Sequence, residues 1–115
     1  MKITITNVEV PLYFSTLQIV IAKNLNKALK KMKIKDHAED YEAFVIVKRH
    51  KSIVFIKPSA TIGTIAHETV HVVNNVFKNA SVQLDIDNDE PQAYLTKWIV
   101  DKIYNALIKH NKNGN

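Results

Sequence analysis

The chain has 115 residues, enough for a single domain spanning 1–115 with a core of its own, and 46% of them are hydrophobic. It contains no cysteine, which excludes disulfides, thiolate metal sites and a cysteine nucleophile. The net charge of +5 is a mild excess gathered in 23–35 and in Lys48-Arg49-His50-Lys51; without interleaved aromatics or a nucleic-acid motif, it reads as a solvated lysine face plus a basic turn rather than a nucleic-acid footprint.

Residues 2–10 alternate like a strand, from the opening Met1-Lys2-Ile3, and Pro11 ends the run. They lack the apolar stretch and small-residue cleavage site of a signal peptide. No segment approaches the roughly 18 apolar residues of a membrane span, so a cytoplasmic protein without a membrane partner is expected. The β-branched run Leu17–Ala22 predicts a buried strand. Asn24 caps a short helix to about Met32, with Leu25, Leu29 and Met32 on one side and lysines on the other. A polar loop fills 33–41. Two short apolar runs, 43–47 and 53–56, flank a polar segment and predict a hairpin, with Pro58 ending its second strand. Ser59 or Thr61 caps a helix to about Asn79, 80–89 form an acidic loop, and a last helix runs from about Asp89 to Lys109 with Pro91 in its first turn. The polar tail 110–115 is expected to fray. Strand, strand, helix, hairpin, helix, helix is the order of an α+β fold.

The fifth of these blocks of regular structure, the helix ending near Asn79, contains His67-Glu68-Thr69-Val70-His71, an HExxH pattern. Residues i and i+4 lie one above the other on a helix, with Cβ atoms about 5–6 Å apart, so two imidazoles there reach one tetrahedral Zn2+. The intervening Glu68 is offset by about 100° and reaches a water on the metal, for which it is the general base. With five His in the chain, a chance HExxH is on the order of one per cent. Projected at that angle, Gly63, His67, His71, Asn74 and Lys78 share one side, and Ile62, Ile65, Thr69, Val72, Val73 and Val76 the other. A catalytic zinc takes three protein ligands and keeps one open position. The candidates for the third are Asp85, Asp87, Asp89, Glu90, Asp101, His37, His50 and His110. Glu90 opens the last helix, where an acid also favours the macrodipole. Tyr94, Tyr13, Tyr104, His50 and His110 are candidates to stabilise an oxyanion, against the plainer role of core or surface side chains. Asn74 and Asp101 are candidates to orient an imidazole, against ordinary surface roles such as Asp101 pairing with Lys97.

Residues 65–71 (IAHETVH), residues 88–95 (NDEPQAYL) and the following Trp98 resemble small phage-encoded zinc peptidases, which are similar in turn to minimal gluzincins. Pro11-Leu12-Tyr13-Phe14 and Ala43-Phe44 extend the resemblance over most of the chain, though only HExxH and the Glu90 segment are specific. In gluzincins the third ligand is a glutamate followed, after two residues, by alanine; Glu90 and Ala93 match. The resemblance implies a small zincin-like domain, with a short sheet packed on the HExxH helix and a C-terminal helix. It implies His67, His71 and Glu90 as ligands of Zn2+, Glu68 as the base, and a peptide or protein substrate lying extended along the edge strand. The alternative from a different class is a catalytically silent zinc-binding regulatory or interaction module of phage origin. Substrate and oligomeric state are not legible in the sequence.

Overall fold

A computed structural model describes residues 2–114; Met1 and Asn115, the outer ends of the expected strand and the expected tail, lie outside the described residues. Four strands and three helices occur in the order β1 (Thr4–Val10), β2 (Ser15–Ile21), α1 (Leu25–Lys31), β3 (Ala43–Lys48), β4 (Lys51–Ile56), α2 (Ile62–Asn79) and α3 (Glu90–Gly114), an α+β fold with a mixed sheet. The sheet order is β1-β2-β4-β3. β1 and β3 are antiparallel to their neighbours, while the central pair β2 and β4 is parallel, Leu17 facing Ser52 and Ile21 facing Ile56.

Period-two alternation sends side chains to two cores. Leu17, Ile19 and Ile21 of β2 and Val54 and Ile56 of β4 pack against Ile65, Val72, Val73 and Val76 of α2 and Ile99 and Ile103 of α3. On the opposite face, Val20, Ile53 and Phe55 pack against Leu25, Ala28 and Leu29 of α1. Phe44 stacks on Phe55 with ring centroids 4.9 Å apart. Because both faces are covered, β2 and β4 are apolar on both sides over Ile19–Ile21 and Ile53–Ile56, as expected of central parallel strands. Each fully buried side chain of this kind contributes about 1.5–3 kcal/mol.

Local chemistry sets the boundaries. The Asn24 side chain accepts from the Lys27 N–H, and the Thr61 hydroxyl accepts from the Thr64 N–H, capping α1 and α2. The lysines of α1 face solvent. The β3–β4 turn is tighter than expected, only Arg49 and His50, closed by His50 in the left-handed region at φ 59°. The 80–89 loop contains a single 3-10 turn at Ile86–Asn88, capped by Asp85.

Two expectations are corrected. The tail does not fray at Lys109: α3 continues to Gly114, because His110 is buried with Nδ1 2.6 Å from Thr4 Oγ1, and Asn111 Nδ2 donates to the Pro58 carbonyl at 3.2 Å. Burial and Lys2 lower the His110 pKa below its ordinary value. On α2, Ile62 is exposed although the projection puts it with the core, and Glu68 is buried. No helix among the described residues is long and apolar enough to cross a membrane.

Asn75 fastens α2 to the hairpin. Its Nδ2 lies 3.1 Å from the Lys48 carbonyl, 3.1 Å from the Lys51 carbonyl and 3.0 Å from Ser52 Oγ, with Asn79 reaching back to the Asn75 carbonyl at 2.9 Å. Asn75→Ala removes the shared donor and is expected to cost about 1–3 kcal/mol in denaturant unfolding while leaving the fold unchanged.

Candidate functional site

α2 runs along β3, from Ala43 beside His67 and Glu68 to Lys48 beside Asn75. Its apolar side is committed to the sheet and to α3, so His67 and His71 emerge where β3 ends the sheet. The two exposed rings are 5.2 Å apart, centroid to centroid, and nearly perpendicular. The geometry fits the two-imidazole part of a zinc site, with both rings free of core packing.

Glu68 lies between them and deeper, 5% exposed, with Oε2 4.0 Å from His67 Nε2. Burial raises its pKa above the ordinary 4.5, and the charges of His67 and His71 pull it partly back. A carboxylate of raised proton affinity suits a general base.

The three side chains open onto a trench beside β3. One lobe, about 460 Å³, is lined by Tyr41, Val45 and Val47 together with His67, Glu68 and His71. A second, about 400 Å³, is lined by Glu42, Thr61, Gly63 and Thr64 and shares Ala43, His67 and Glu68 with the first. The backbone contributes as well. The Lys57 N–H donates to the Glu42 carbonyl at 3.0 Å, so Glu42 and Lys57 form a bonded pair. By antiparallel alternation the next bonded pairs are Phe44–Phe55, Ile46–Ile53 and Lys48–Lys51. The N–H and C=O groups of Ala43, Val45 and Val47 therefore point away from β4, out of the free edge, and their side chains lie on the α2 side.

Glu90 is not brought to this pair. It opens α3 as expected but is exposed, and among the described residues no group of three His, Cys, Asp or Glu side chains assembles as a metal cluster. The reason is the path of the chain. α2 continues past His71 to Asn79 before the 80–89 loop turns back. Tyr13 packs on Phe77 near the end of α2 and lines a groove with Leu95 and Trp98, while Asn111 reaches Pro58 ahead of α2. α3 thus returns antiparallel to α2, with its first residues at the Asn79 end of α2.

Of the other candidates, Asp87, Asp89 and Tyr104 are exposed. Asp101 pairs with Lys97 Nζ at 3.0 Å, His37 faces Glu39 at 3.7 Å, His50 closes the hairpin and Asp85 caps the 3-10 turn. Asn74 is solvated; Tyr94, 69% exposed, lines the groove with Pro11 and Trp98, on a different surface from the histidines. Tyr41, Glu42, Val45 and Val47 escape the sequence reading. The alternation of β3 contains part of the signal, but the strand's position at the edge does not follow from it.

The buried Glu68 carboxylate has a consequence for stability. Above its raised folded-state pKa it is ionised in both states, and the folded state bears the whole desolvation penalty. As pH falls through that pKa toward 4.5 the penalty disappears. Metal-free Glu68→Gln is therefore expected to melt higher than metal-free wild type at pH 7–8, with the difference shrinking toward pH 4.5 in a series of thermal scans.

Compared with protein-family models, curated proteins and solved structures, the chain matches none.

Proposed function

We propose that the chain is a zinc-dependent peptidase with a zincin-like arrangement. The observation that carries this is the trench: two exposed imidazoles one turn apart and a buried carboxylate of raised proton affinity open together beside a free strand edge. An extended peptide paired with Ala43, Val45 and Val47 would lie against His67, Glu68 and His71. His67 and His71 would hold Zn2+, and Glu90, implied by the resemblance, would complete the site if residues 81–90, all exposed, fold back over α2. When bound, the metal supplies Lewis acidity to the attacking water and to the peptide carbonyl. Glu68 would take a proton from the attacking water as its oxygen bonds to the carbonyl carbon. It would then pass the proton to the departing nitrogen as the C–N bond breaks.

The separation of Glu90 from the pair favours a second reading, a module that binds zinc and an extended peptide without cleaving it. The two differ in what Glu68 does. Under the peptidase reading, zinc-loaded Glu68→Gln retains the metal and loses about 10²–10⁴-fold in peptide hydrolysis; equal rates for variant and wild type remove Glu68 from the chemistry.

Metal content tests the ligands directly. Wild type is expected to hold about one zinc per chain. His67→Ala and His71→Ala are expected to lose more than the 10–100-fold in affinity typical of an outer-shell partner. A comparable loss in Glu90→Ala assigns it as a ligand; undiminished affinity leaves the site with two protein ligands. Failure of wild type to take up zinc when offered it overturns both readings.

A further inference from the structure

We infer that the free edge of β3 recognises peptides with an acidic residue directly before an apolar one and a second apolar residue two positions further on, Lys48 being the side chain that reads the acid. The inference rests on the docking of an extended peptide proposed above and adds a substrate class to it.

Its first basis is the two faces of β3. Ala43 and Val45 pack with the core between the sheet and α2. Val47, next on that face, is 54% exposed and lines the trench with His67, Glu68 and His71. Phe44 and Ile46 pack with the core under α1, and alternation puts Lys48 on their face. Lys48 is exposed, and among the described residues no salt bridge takes its ammonium. It stands directly opposite Lys51 of β4, which alternation places on the face of Ile53 and Phe55, the same one. Like charges directly opposite each other on one face destabilise the pair, and a carboxylate on the free side of Lys48 offsets that repulsion.

The second basis is register. The free N–H and C=O groups belong to Ala43, Val45 and Val47, so a guest strand forms its bonded pairs opposite these three, with those side chains on the α2 side. It pairs more stably antiparallel than parallel. β3 runs from Ala43 to Lys48, so the guest runs from Lys48 toward Ala43. Its residue opposite Val47 turns into the apolar part of the trench, and so does the residue two further on, opposite Val45. The residue directly before them stands opposite Lys48, on the other face, in a non-bonded pair, where side chains lie closer. The acid and the first apolar residue are thus neighbours in sequence that face opposite ways. The net charge of +5 attracts any acidic peptide; the position of the acid within the peptide is set by Lys48.

The test is a set of short peptides sharing a Val-Thr-Val core. Asp stands directly before the first Val or directly after the second; in a third peptide Lys stands before the first Val, and in a fourth, with Asp before the core, both Val are Gln. Cleavage is measured with zinc-loaded wild type and Lys48→Glu. Binding is measured by fluorescence anisotropy to Glu68→Gln with zinc added, with and without Lys48→Glu. Circular dichroism checks that each variant keeps its fold. Asp before the core is expected to be favoured about two- to fivefold over Asp after it, at equal peptide charge, the size of one cross-strand ion pair. The Gln peptide is expected to lose about tenfold, the effect of an apolar side chain kept in water. Lys48→Glu is expected to reverse the order of the Asp-first and Lys-first peptides and to keep the loss on Gln. Equal or better use of the peptide with Asp after the core, an order unchanged in Lys48→Glu, or no loss on Gln overturns the inference, and cleavage in any of these cases leaves the peptidase standing. Absence of cleavage with the expected order in binding overturns the peptidase and supports the inference. Neither cleavage nor binding overturns both.

Discussion

The parallel pairing of β2 with β4 is the constraint on which the site depends. It places Leu17, Ile19 and Ile21 alongside Val54 and Ile56 on one face, and it occupies one side of β4 completely. The hairpin then leaves β3 only the other side, and β3 ends the sheet. α2 must cover the apolar face of β4, so it settles under β3 and β4, and the side of the helix that cannot enter the core emerges at the sheet margin. An arrangement in which β3 and β4 were flanked on both sides would bury the same helix face and close the opening. The site is a by-product of where the core lies.

Within that frame Glu68 is the residue whose local cost is highest. It shares its flank of the helix with Ile65, Thr69 and Val72, all buried, and a hydrophobic side chain there would pack without a desolvation penalty. Thr69 solves the same problem by donating its hydroxyl to the Ile65 carbonyl at 2.7 Å. The Glu68 carboxylate has no such internal solution and faces the histidines instead. The surrounding apolar packing holds the buried carboxylate in place despite that cost.

Much of the frame was legible in the sequence because it is written in local signals. Asn24 caps the helix it was expected to cap, Thr61 rather than Ser59 caps the next, Pro11 ends β1, and His67 and His71 fall together because helix geometry alone pairs i with i+4. What was not legible depends on tertiary placement. The length of the last helix is set by His110 meeting Thr4, a contact spanning most of the chain. The position of Glu90 depends on how far α2 runs past His71 and how the exposed loop returns, neither of which motif spacing encodes. Glu42 and Tyr41 became visible only when strand order put β3 at the edge. The helical projection failed at Ile62, because a helix lying under a sheet margin buries a sector set by its neighbours and not by its most apolar residues.

An unpaired edge also receives other strands, including strands of identical chains. β3 offers three free backbone positions at Ala43, Val45 and Val47, with Phe44 and Ile46 between them, and a run of β-branched residues is the composition that stacks into aggregates. The protein's defence is placed at the end of the run: Lys48, Arg49, His50 and Lys51 follow immediately, and in an antiparallel pairing of two copies offset toward their turns these cations would face one another. The basic turn noted in the sequence thus sets like charges where two such edges would meet, which discourages growth of the sheet from one molecule into the next.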